Sequence, residues 1–288
     1  MVWQAGRFRL ELARPLVMGI VNVTPDSFSD GDPAMTAQAA IGRCEQLVAE
    51  GADLLDLGGE SSRPGAEPVG VDEELARVLP VLSAALRLGV PVSVDTAKPE
   101  VMRAVLDEGA DIVNDIGALV APGAVAAVAA NAGCGVCLMH MRGSPRSMAG
   151  QASYDDVVGE VAAFLRARID AACAAGIDAQ RIVVDAGIGF AKTAAHNLAL
   201  LRRQRELLGL GRPLLVGWSR KSTLARLIGL PAGPGSSRTT ATMAALDVAS
   251  ATAVVLAVQA GASIVRVHNV AATVAALAVW RAAGAAPG

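Results

Sequence analysis

Three polar side chains each come at or near the end of a short apolar run. Asp95 ends "PVSVD", Asn114 lies in "DIVND" and Asp185 follows "RIVV". An ionised carboxylate accepts two parallel hydrogen bonds, and a carboxamide offers both a donor and an acceptor. Such a set suits a flat, polar bicyclic ring such as a pterin or a purine. For each carboxylate the alternative role is to cap a helix or to pair with an arginine. Three such polar side chains at converging strand ends favour a ligand.

Two further motifs could bind an anion. In "GWSRKS", residues 217–222, an apolar run enters a helix, and hydroxyls, Arg220 and Lys221 stand beside the N–H groups of the helix start. In "RVH", Arg266 and His268 share one face of a strand, where both can contact phosphate oxygens. A helix cap with a solvated basic pair, and a salt bridge within the barrel, are the respective alternatives.

Two loops are rich in Gly, Ser, Asp and Pro, and we expect both to be mobile without ligand. The first begins at Asn22 and reads "NVTPDSFSDGD" over residues 22–32. The second, "GGESSRPGAEP", covers residues 58–68. The second loop can bend over a ligand and present Arg63 to a leaving phosphate, although a plain surface turn would have the same composition.

A third loop, "DAGIGFAK", has a G-x-G spacing but lacks the third glycine and the acidic ribose ligand of a dinucleotide site, so NAD binding is not expected. Phe190 in this loop could wall a second, aromatic substrate.

The elements that position these residues follow from eight apolar runs of strand length separated by helical patterns. Continuous Val, Ile and Leu runs alternating with helices predict a parallel sheet covered by helices, and eight units predict an α/β fold of the (β/α)₈ TIM-barrel type. A doubly wound open sheet is the alternative. The polar residues at the C-terminal ends of nearly all the runs favour the barrel, with an active site at that face.

Composition narrows the function. The 288 residues are 53% hydrophobic and 18% charged, with a net charge of -2, which predicts one domain over 1–288, a small-molecule partner, and neither nucleic acid nor a membrane. No signal-peptide pattern opens the chain, so a cytoplasmic enzyme is expected.

Cys134 and Cys137 form a C-x-x-C motif, and we interpret both cysteines as packing residues. The apolar stretch 239–261 is interpreted as a helix buried on several sides, against the core or against a second subunit.

Eight ordered motifs carry a family resemblance: "NVTPDSFSDG", "DLGGESSRPGA", "VSVDTAKPEV", "VNDI", "LMHM", "DAGIGFAKTAAHN", "SRKS" and "RVHNV". With them the chain closely resembles the dihydropteroate synthases of folate biosynthesis from about residue 16 to residue 270. The resemblance implies a (β/α)₈ barrel that condenses 6-hydroxymethyl-7,8-dihydropterin diphosphate with 4-aminobenzoate, releases diphosphate and uses Mg²⁺. It also implies a homodimer formed through the late apolar helices.

The resemblance further implies a role for each matching residue. The pterin ring would be held by Asp95, Asn114, Asp185, Lys221 and Arg266. The diphosphate would be bound by Asn22, Arg63, Arg266 and His268, with Asn22 close to Mg²⁺. The 4-aminobenzoate site would be formed by Ser62, Pro64, Phe190, Lys221 and Ser222. Catalysis would fall to Asp95, Arg63, Lys221, Arg266 and His268, through a dissociative, SN1-like loss of diphosphate.

Several residues depart from the family pattern. Ser62 stands where Thr is common, and Ala191 and Asn269 stand where Gly and Asp are frequent. Trp218 replaces a usually small residue and would crowd the exit of the seventh strand, and the region 238–253 includes additional residues before the eighth strand. Two other functions remain open: a methyltransferase barrel that binds methyltetrahydrofolate, which would not need the anion-binding motifs, and a non-catalytic pterin-binding homologue.

Overall fold

The structure is a computed structural model that describes residues 1–24, 33–63, 65–232 and 239–284. It begins with an antiparallel hairpin of β1 (Val2–Ala5) and β2 (Phe8–Glu11), which the sequence analysis did not predict. The turn passes through Gly6 at φ +58°, where a Cβ would lie 2.6 Å from the Cα of Asp111. The turn therefore needs glycine both for its backbone angle and for this close approach.

Eight parallel strands then close into a barrel, in which each strand pairs with the next and the last pairs with the first. Most of their residues are buried, as expected for parallel strands covered by helices. The prediction of a (β/α)₈ barrel is confirmed over the open sheet, because each predicted run contains one barrel strand. The strands are β3 (Leu16–Asn22), β4 (Leu54–Gly58), β5 (Val92–Asp95), β6 (Ile112–Asp115), β7 (Gly135–Met139), β8 (Ile182–Asp185), β9 (Leu214–Val216) and β10 (Ile264–Val267).

Helices follow the strands along the chain. They are α1 (Pro33–Ala49), α2 (Val71–Ala85), α3 (Pro99–Asp107), α4 (Ala124–Ala130), α5 (Val157–Ala174), α6 (Ala194–Arg202), α7 (Ser222–Leu227), α8 (Thr240–Gln259) and α9 (Val270–Ala282). Short 3₁₀ helices cover Leu86–Leu88, Met148–Gly150, Ala179–Arg181 and Gln204–Leu210. The connection from β9 to β10 contains both α7 and α8.

The hairpin packs against one end of the barrel. Trp3 is fully buried in an apolar cluster with residues of the barrel strands, including Met18 and Cys137. Its indole Nε1 donates to the carbonyl oxygen of Arg181 at 2.9 Å. We call this N-terminal side of the strands the closed end, and the opposite side, where the strands finish, the open end.

The Cys134–Cys137 motif is buried, in agreement with the packing interpretation. The Cys134 Sγ lies 3.1 Å from the guanidinium of Arg181, and Cys137 belongs to the cluster around Trp3. Within 1–24, 33–63, 65–232 and 239–284, no group of three His, Cys, Asp or Glu side chains could hold a metal ion.

The apolar stretch 239–261 forms α8, which is long and apolar enough to cross a membrane, with a mean hydropathy of 1.8. One side of α8 is buried against the molecule through Leu246, Ala253, Val254, Ala257 and Val258. It connects two barrel strands along the chain, so we assign it as a helix of this fold. The expectation of burial on several sides is not met within this chain, since Val248 and Leu256 are exposed.

Candidate active site at the open end of the barrel

A network of ion pairs and hydrogen bonds joins residues of four strands, β4, β5, β6 and β10. The Arg266 Nε donates to Asp56 Oδ2 at 2.5 Å, and its Nη2 donates to Asp95 Oδ2 at 2.8 Å. The Asn114 Nδ2 donates to the same Asp56 oxygen at 3.1 Å. Parallel pairing places these residues side by side, because β5 aligns Asp95 with Asn114 of β6. The structure thus brings Asp95, Asn114 and Arg266 together, and it shows for Arg266 the salt bridge within the barrel that was the alternative to phosphate binding.

Asp56 at the centre of this network was given no role in the sequence analysis. Its side chain is fully buried, and its Oδ1 has no hydrogen-bond partner among the residues that the structure describes. The signal available in the sequence was a carboxylate between the leucines of the apolar run "LLDLG". Since a buried carboxylate oxygen is rarely kept without a hydrogen-bond partner, the free Oδ1 marks Asp56 as part of the floor of a polar site.

Burial dominates the electrostatics of the site. It raises the pKa of Asp95 to about 7, against the opposing charge of Arg266, and it raises the pKa of Asp185. It also lowers the pKa of Lys221 to about 8, and the charge of Arg266 lowers it further. Strongly shifted acids and bases gathered at the open face of a barrel are typical of a catalytic site.

The loop after β8 is held in shape by its own residues. The Asp185 Oδ1 accepts from the Gly187 N–H at 2.7 Å. Gly187 has φ +68°, and a Cβ on it would lie 1.9 Å from the carbonyl oxygen of His140, so only glycine fits. Ala191 has φ +49° in the same loop, which gives a physical reason for glycine being frequent there in the family.

Lys192, in the same loop, is a second residue whose role the sequence did not indicate. Its ammonium lies 3.0 Å from the carbonyl oxygens of both Gly187 and Phe190 and 2.9 Å from the His140 Nδ1. Burial lowers the pKa of Lys192 to about 7. Lys192 therefore ties the loop of Asp185 and Phe190 to the end of β7.

The turn 219–222 presents one cation to the site and turns the other away. The Lys221 Nζ lies 4.2 Å from the ring centroid of the buried Phe190. Arg220 instead pairs with Asp247 of α8, with its Nε and Nη2 at 2.7 and 2.9 Å from the two carboxylate oxygens. The expectation that both cations form an anion site is therefore wrong for Arg220, because its charge is already neutralised by Asp247.

His268 faces the same region. Its Nδ1 lies 2.9 Å from the Ser219 Oγ. Its pKa is lowered well below the usual value, first by burial and then by the positive charges of Arg220, Arg266, Lys221 and Arg63. The imidazole is therefore neutral, and Lys221 and Arg63 place positive charge near it that would attract an anion.

The two loops expected to cover the site are only partly described. Asn22 is half-buried at the end of β3, whereas 25–32 and Pro64 lie outside the described residues. Ser62 is half-buried, Arg63 is exposed, and Ser222 is exposed at the start of α7. The second loop is anchored at its base, because the Arg77 Nη1 donates to the Gly59 carbonyl oxygen at 2.8 Å.

Trp218 does not crowd the exit of β9 as the sequence suggested. The side chain is fully buried in the large apolar cluster shared by the strands and the surrounding helices. The cluster around Phe190, which lies at the site, does not include it.

Comparisons with known proteins identify the family of the chain. The model of the family described as pterin binding enzyme matches residues 18–268. A curated dihydropteroate synthase of Neisseria meningitidis serogroup C is 50% identical over 286 residues, which cover 98% of each chain. The chain belongs to the dihydropteroate synthase family.

Solved structures of this family have the same fold. The dihydropteroate synthase of Xanthomonas albilineans with 4-aminobenzoic acid is 49% identical, with a TM-score of 0.87 over 97% of this chain and 96% of that one. A structure of the enzyme from the same organism in complex with 7,8-dihydropteroate is 45% identical, with a TM-score of 0.85 over 100% of both chains. Members of the dihydropteroate synthase family are transferases, and this chain is one of them by sequence and by fold.

Proposed function

We propose that the protein condenses 6-hydroxymethyl-7,8-dihydropterin diphosphate with 4-aminobenzoate to give 7,8-dihydropteroate and diphosphate. The observation that carries the proposal is the buried network of Arg266 with Asp56 and Asp95 at the open end of the barrel. It sets a charged, hydrogen-bonding floor at the end of the barrel where the Lys221 ammonium lies 4.2 Å from the centroid of the Phe190 ring.

The pterin ring would lie on this floor. Asp185 would accept from the amino and ring N–H groups, while Asn114 would supply a donor and an acceptor. Lys221 would donate to the ring carbonyl and a ring nitrogen, and the guanidinium of Arg266 would lie across the ring face. Asp95 would accept from the ring and balance its positive charge as the reaction proceeds.

The diphosphate would lie where positive charge gathers. Arg63, Arg266 and His268 would bind its oxygens, and Asn22 would contribute an amide oxygen to Mg²⁺. The described residues hold no cluster of metal-ligating side chains, which fits Mg²⁺ because this ion keeps several waters and is often bound through one or two protein oxygens and the substrate's phosphates. When bound, Mg²⁺ would neutralise the charge on the departing diphosphate.

The 4-aminobenzoate ring would pack against Phe190, beside Ser62 and Pro64. Lys221 and the hydroxyl of Ser222 would bind its carboxylate. This arrangement directs the aromatic amine towards the methylene carbon of the pterin, because the carboxylate is held at the opposite end of the ring.

The reaction needs no strong base, since an arylamine is neutral near pH 7 and its nitrogen already carries a lone pair. The difficult step is breaking the bond between the methylene carbon and diphosphate. Arg63, Arg266 and His268 would stabilise the leaving group, and Asp95 would stabilise the cationic pterin that remains. A dissociative, SN1-like path follows, in which the protein contributes mainly charge and position.

The deciding experiment supplies both substrates with Mg²⁺ and measures diphosphate release together with 7,8-dihydropteroate formation. Omission of 4-aminobenzoate and the Lys221→Met variant are the controls, and both should lower product formation strongly. Tight pterin binding without turnover would indicate a non-catalytic pterin-binding protein. Transfer of a methyl group from methyltetrahydrofolate to a corrinoid would indicate a methyltransferase.

We also infer a homodimer. Large apolar side chains are exposed on three successive helices at the end of the chain: Leu227 on α7, Val248 and Leu256 on α8, and Val279 on α9, with exposed fractions of 57%, 68%, 48% and 72%. Apolar side chains grouped on neighbouring helices favour burial against a second copy. Sedimentation of the wild type and of Val248→Glu tests this, because a charge on this surface should shift a dimer to monomer.

The remaining assignments concern organisation and location. One domain over residues 1–288 is supported by the single closed barrel that the described strands form. A cytoplasmic location is supported by four cysteines that are all free. Limited proteolysis tests the first assignment, and fractionation of cells that express the protein tests the second.

A further inference from the structure

Arg220 has a backbone conformation that an arginine rarely adopts. Its φ is +58°, in the left-handed region that favours glycine. Such a conformation persists only where the surroundings hold it. The chain on either side of Arg220 carries Ser219 and Lys221, so its conformation sets the direction of both side chains.

Helix α8 supplies the contacts that hold Arg220. The Arg220 backbone N–H donates to the Ser250 Oγ at 2.9 Å. Its guanidinium forms two parallel hydrogen bonds with the carboxylate of Asp247, which lies one helical turn before Ser250. One face of α8 therefore fixes both the backbone and the side chain of a single residue.

Asp247 also binds the segment after β10. The Asn269 Nδ2 donates to the Asp247 Oδ2 at 3.0 Å, and Asn269 directly follows His268. The Asp247 side chain is mostly buried, with 13% of its surface exposed. Asp247 thus joins the two segments that carry Lys221 and His268, although it belongs to neither.

We propose that Asp247 is a positioning residue that acts on the substrate through Lys221. It would hold Arg220 in its left-handed conformation and so keep the Lys221 ammonium over Phe190, in the place where the pterin carbonyl would lie. This inference rests on the proposed function, because it assigns Lys221 to the substrate. It also gives Arg220 a structural role instead of an anion-binding one.

The direct test compares binding in two backgrounds. Asp247→Asn keeps the size of the side chain but leaves a single acceptor oxygen. In the wild type the Arg220 guanidinium bonds both oxygens of the carboxylate. Calorimetric titration with the pterin diphosphate and Mg²⁺ should show a Kd at least fivefold higher for Asp247→Asn than for the wild type. In a Lys221→Met background the same substitution should change the Kd by less than twofold.

The outcomes separate this inference from the proposed function. A wild type that does not bind the pterin diphosphate contradicts the proposed function itself. If the wild type binds, an unchanged Kd in Asp247→Asn overturns the positioning role. Equal effects of Asp247→Asn with and without Lys221 overturn it too, because Asp247 would then act by another route.

A matched control distinguishes positioning from the general loss of an ion pair. Arg203 and Glu206 form an exposed pair with the same two-bond geometry, at 2.7 and 2.8 Å. Glu206→Gln should leave the Kd unchanged. Thermal unfolding of each variant checks that the chain remains folded.

A charge exchange gives a second, independent test. Arg220 Nη2 and Asn269 Nδ2 both contact Asp247 Oδ2, at 2.9 and 3.0 Å, so a carboxylate at position 269 would lie close to the same guanidinium. The double variant Asp247→Asn/Asn269→Asp should recover a Kd within twofold of the wild type. A double variant that binds no better than Asp247→Asn would contradict the proposal.

Discussion

Both ends of the barrel bury an aspartate against an arginine, but they treat it differently. At the closed end, Asp111 accepts from the backbone N–H groups of Arg7 and Val92, each at 3.0 Å, and from the Arg7 Nε and Nη2 at 3.0 and 2.8 Å. At the open end, the hydrogen bonds that Asp56 accepts from Arg266 and Asn114 both go to Oδ2. Its Oδ1 has no partner among the described residues.

The difference separates stability from function. A fully bonded buried carboxylate costs little, whereas a buried acceptor left unsatisfied costs about 1 to 3 kcal/mol. The open end therefore keeps charges in an arrangement that a ligand completes better than the protein does. Substitutions at the closed end should lower stability with little effect on binding, and those at the open end should do the reverse.

The largest effect is expected at the closed end. Trp3→Ala removes a fully buried indole from the barrel cluster and its bond to Arg181, which should lower the free energy of unfolding by about 3 to 5 kcal/mol. Chemical denaturation measures this loss. Under conditions where the variant is folded, its affinity for the pterin diphosphate should match that of the wild type. A large loss of affinity in folded protein would show that the two ends are not independent.

Asp185→Asn tests the open end, because Asp185 is the last residue of β8. Here we expect the affinity for the ligand to change and the stability of the fold to stay nearly the same. The amide would present a donor where the pterin ring also presents donors, so binding should weaken by about 2 to 4 kcal/mol. Calorimetry measures the affinity, and thermal unfolding should change little. The matched control is Asp178→Asn, which alters an exposed aspartate before the same strand and should leave affinity unchanged. Unchanged affinity in folded Asp185→Asn would exclude Asp185 as the ring anchor.

The two ends also differ in how far the sequence predicted them. The open end could be predicted, because lone polar residues such as Asp95 and Asn114 interrupt apolar runs and parallel strands bring their ends together. The hairpin that packs against the closed end could not, since its strands have only four residues each. The pairing of Arg220 with Asp247 joins residues 27 positions apart, and no local pattern indicates which carboxylate a given arginine will meet.

Arg63→Ala tests whether the open end contributes to the transition state as well as to binding. The exposed Arg63 would act most strongly as negative charge develops on the leaving diphosphate, so kcat should fall about tenfold to a hundredfold while pterin affinity changes much less. Steady-state kinetics and calorimetry together measure the difference. The exposed Arg9 on β2 of the closed-end hairpin is the control, and Arg9→Ala should be neutral. A rise in KM alone would make Arg63 a ground-state binding residue.

The order of binding tests how complete the open end is without ligand. Ser62 and Pro64 are proposed to line the 4-aminobenzoate site. They belong to the same loop as Arg63, and this loop would close when Arg63 binds the diphosphate. We expect 4-aminobenzoate to bind more tightly once diphosphate and Mg²⁺ are present, by about 1 to 3 kcal/mol. Calorimetric titration with and without diphosphate plus Mg²⁺ measures this coupling. Equal affinities would mean that the second site is already formed in the free protein.

The smallest effect is expected in the pH dependence of kcat/KM, and it comes only from the open end. The pKa of Asp95 is about 7, so below that pH its carboxyl is protonated and can no longer balance the charge of the pterin. The pKa of Lys221 is about 8, so above that pH the ammonium that binds the pterin carbonyl is lost. His268 remains neutral across this range because its pKa lies well below the usual value.

The rate should therefore be highest between these two pKa values. Because they lie about one unit apart, the profile should be a narrow bell without a plateau that falls about tenfold for each further pH unit on either side. Lys221→Arg separates the two limbs, because a guanidinium does not lose its proton in this range. Whatever its absolute rate, this variant should keep the acid limb and lose the alkaline one. If the alkaline limb persists in Lys221→Arg, another group causes the loss of rate at high pH, and Lys221 is not the residue that titrates there.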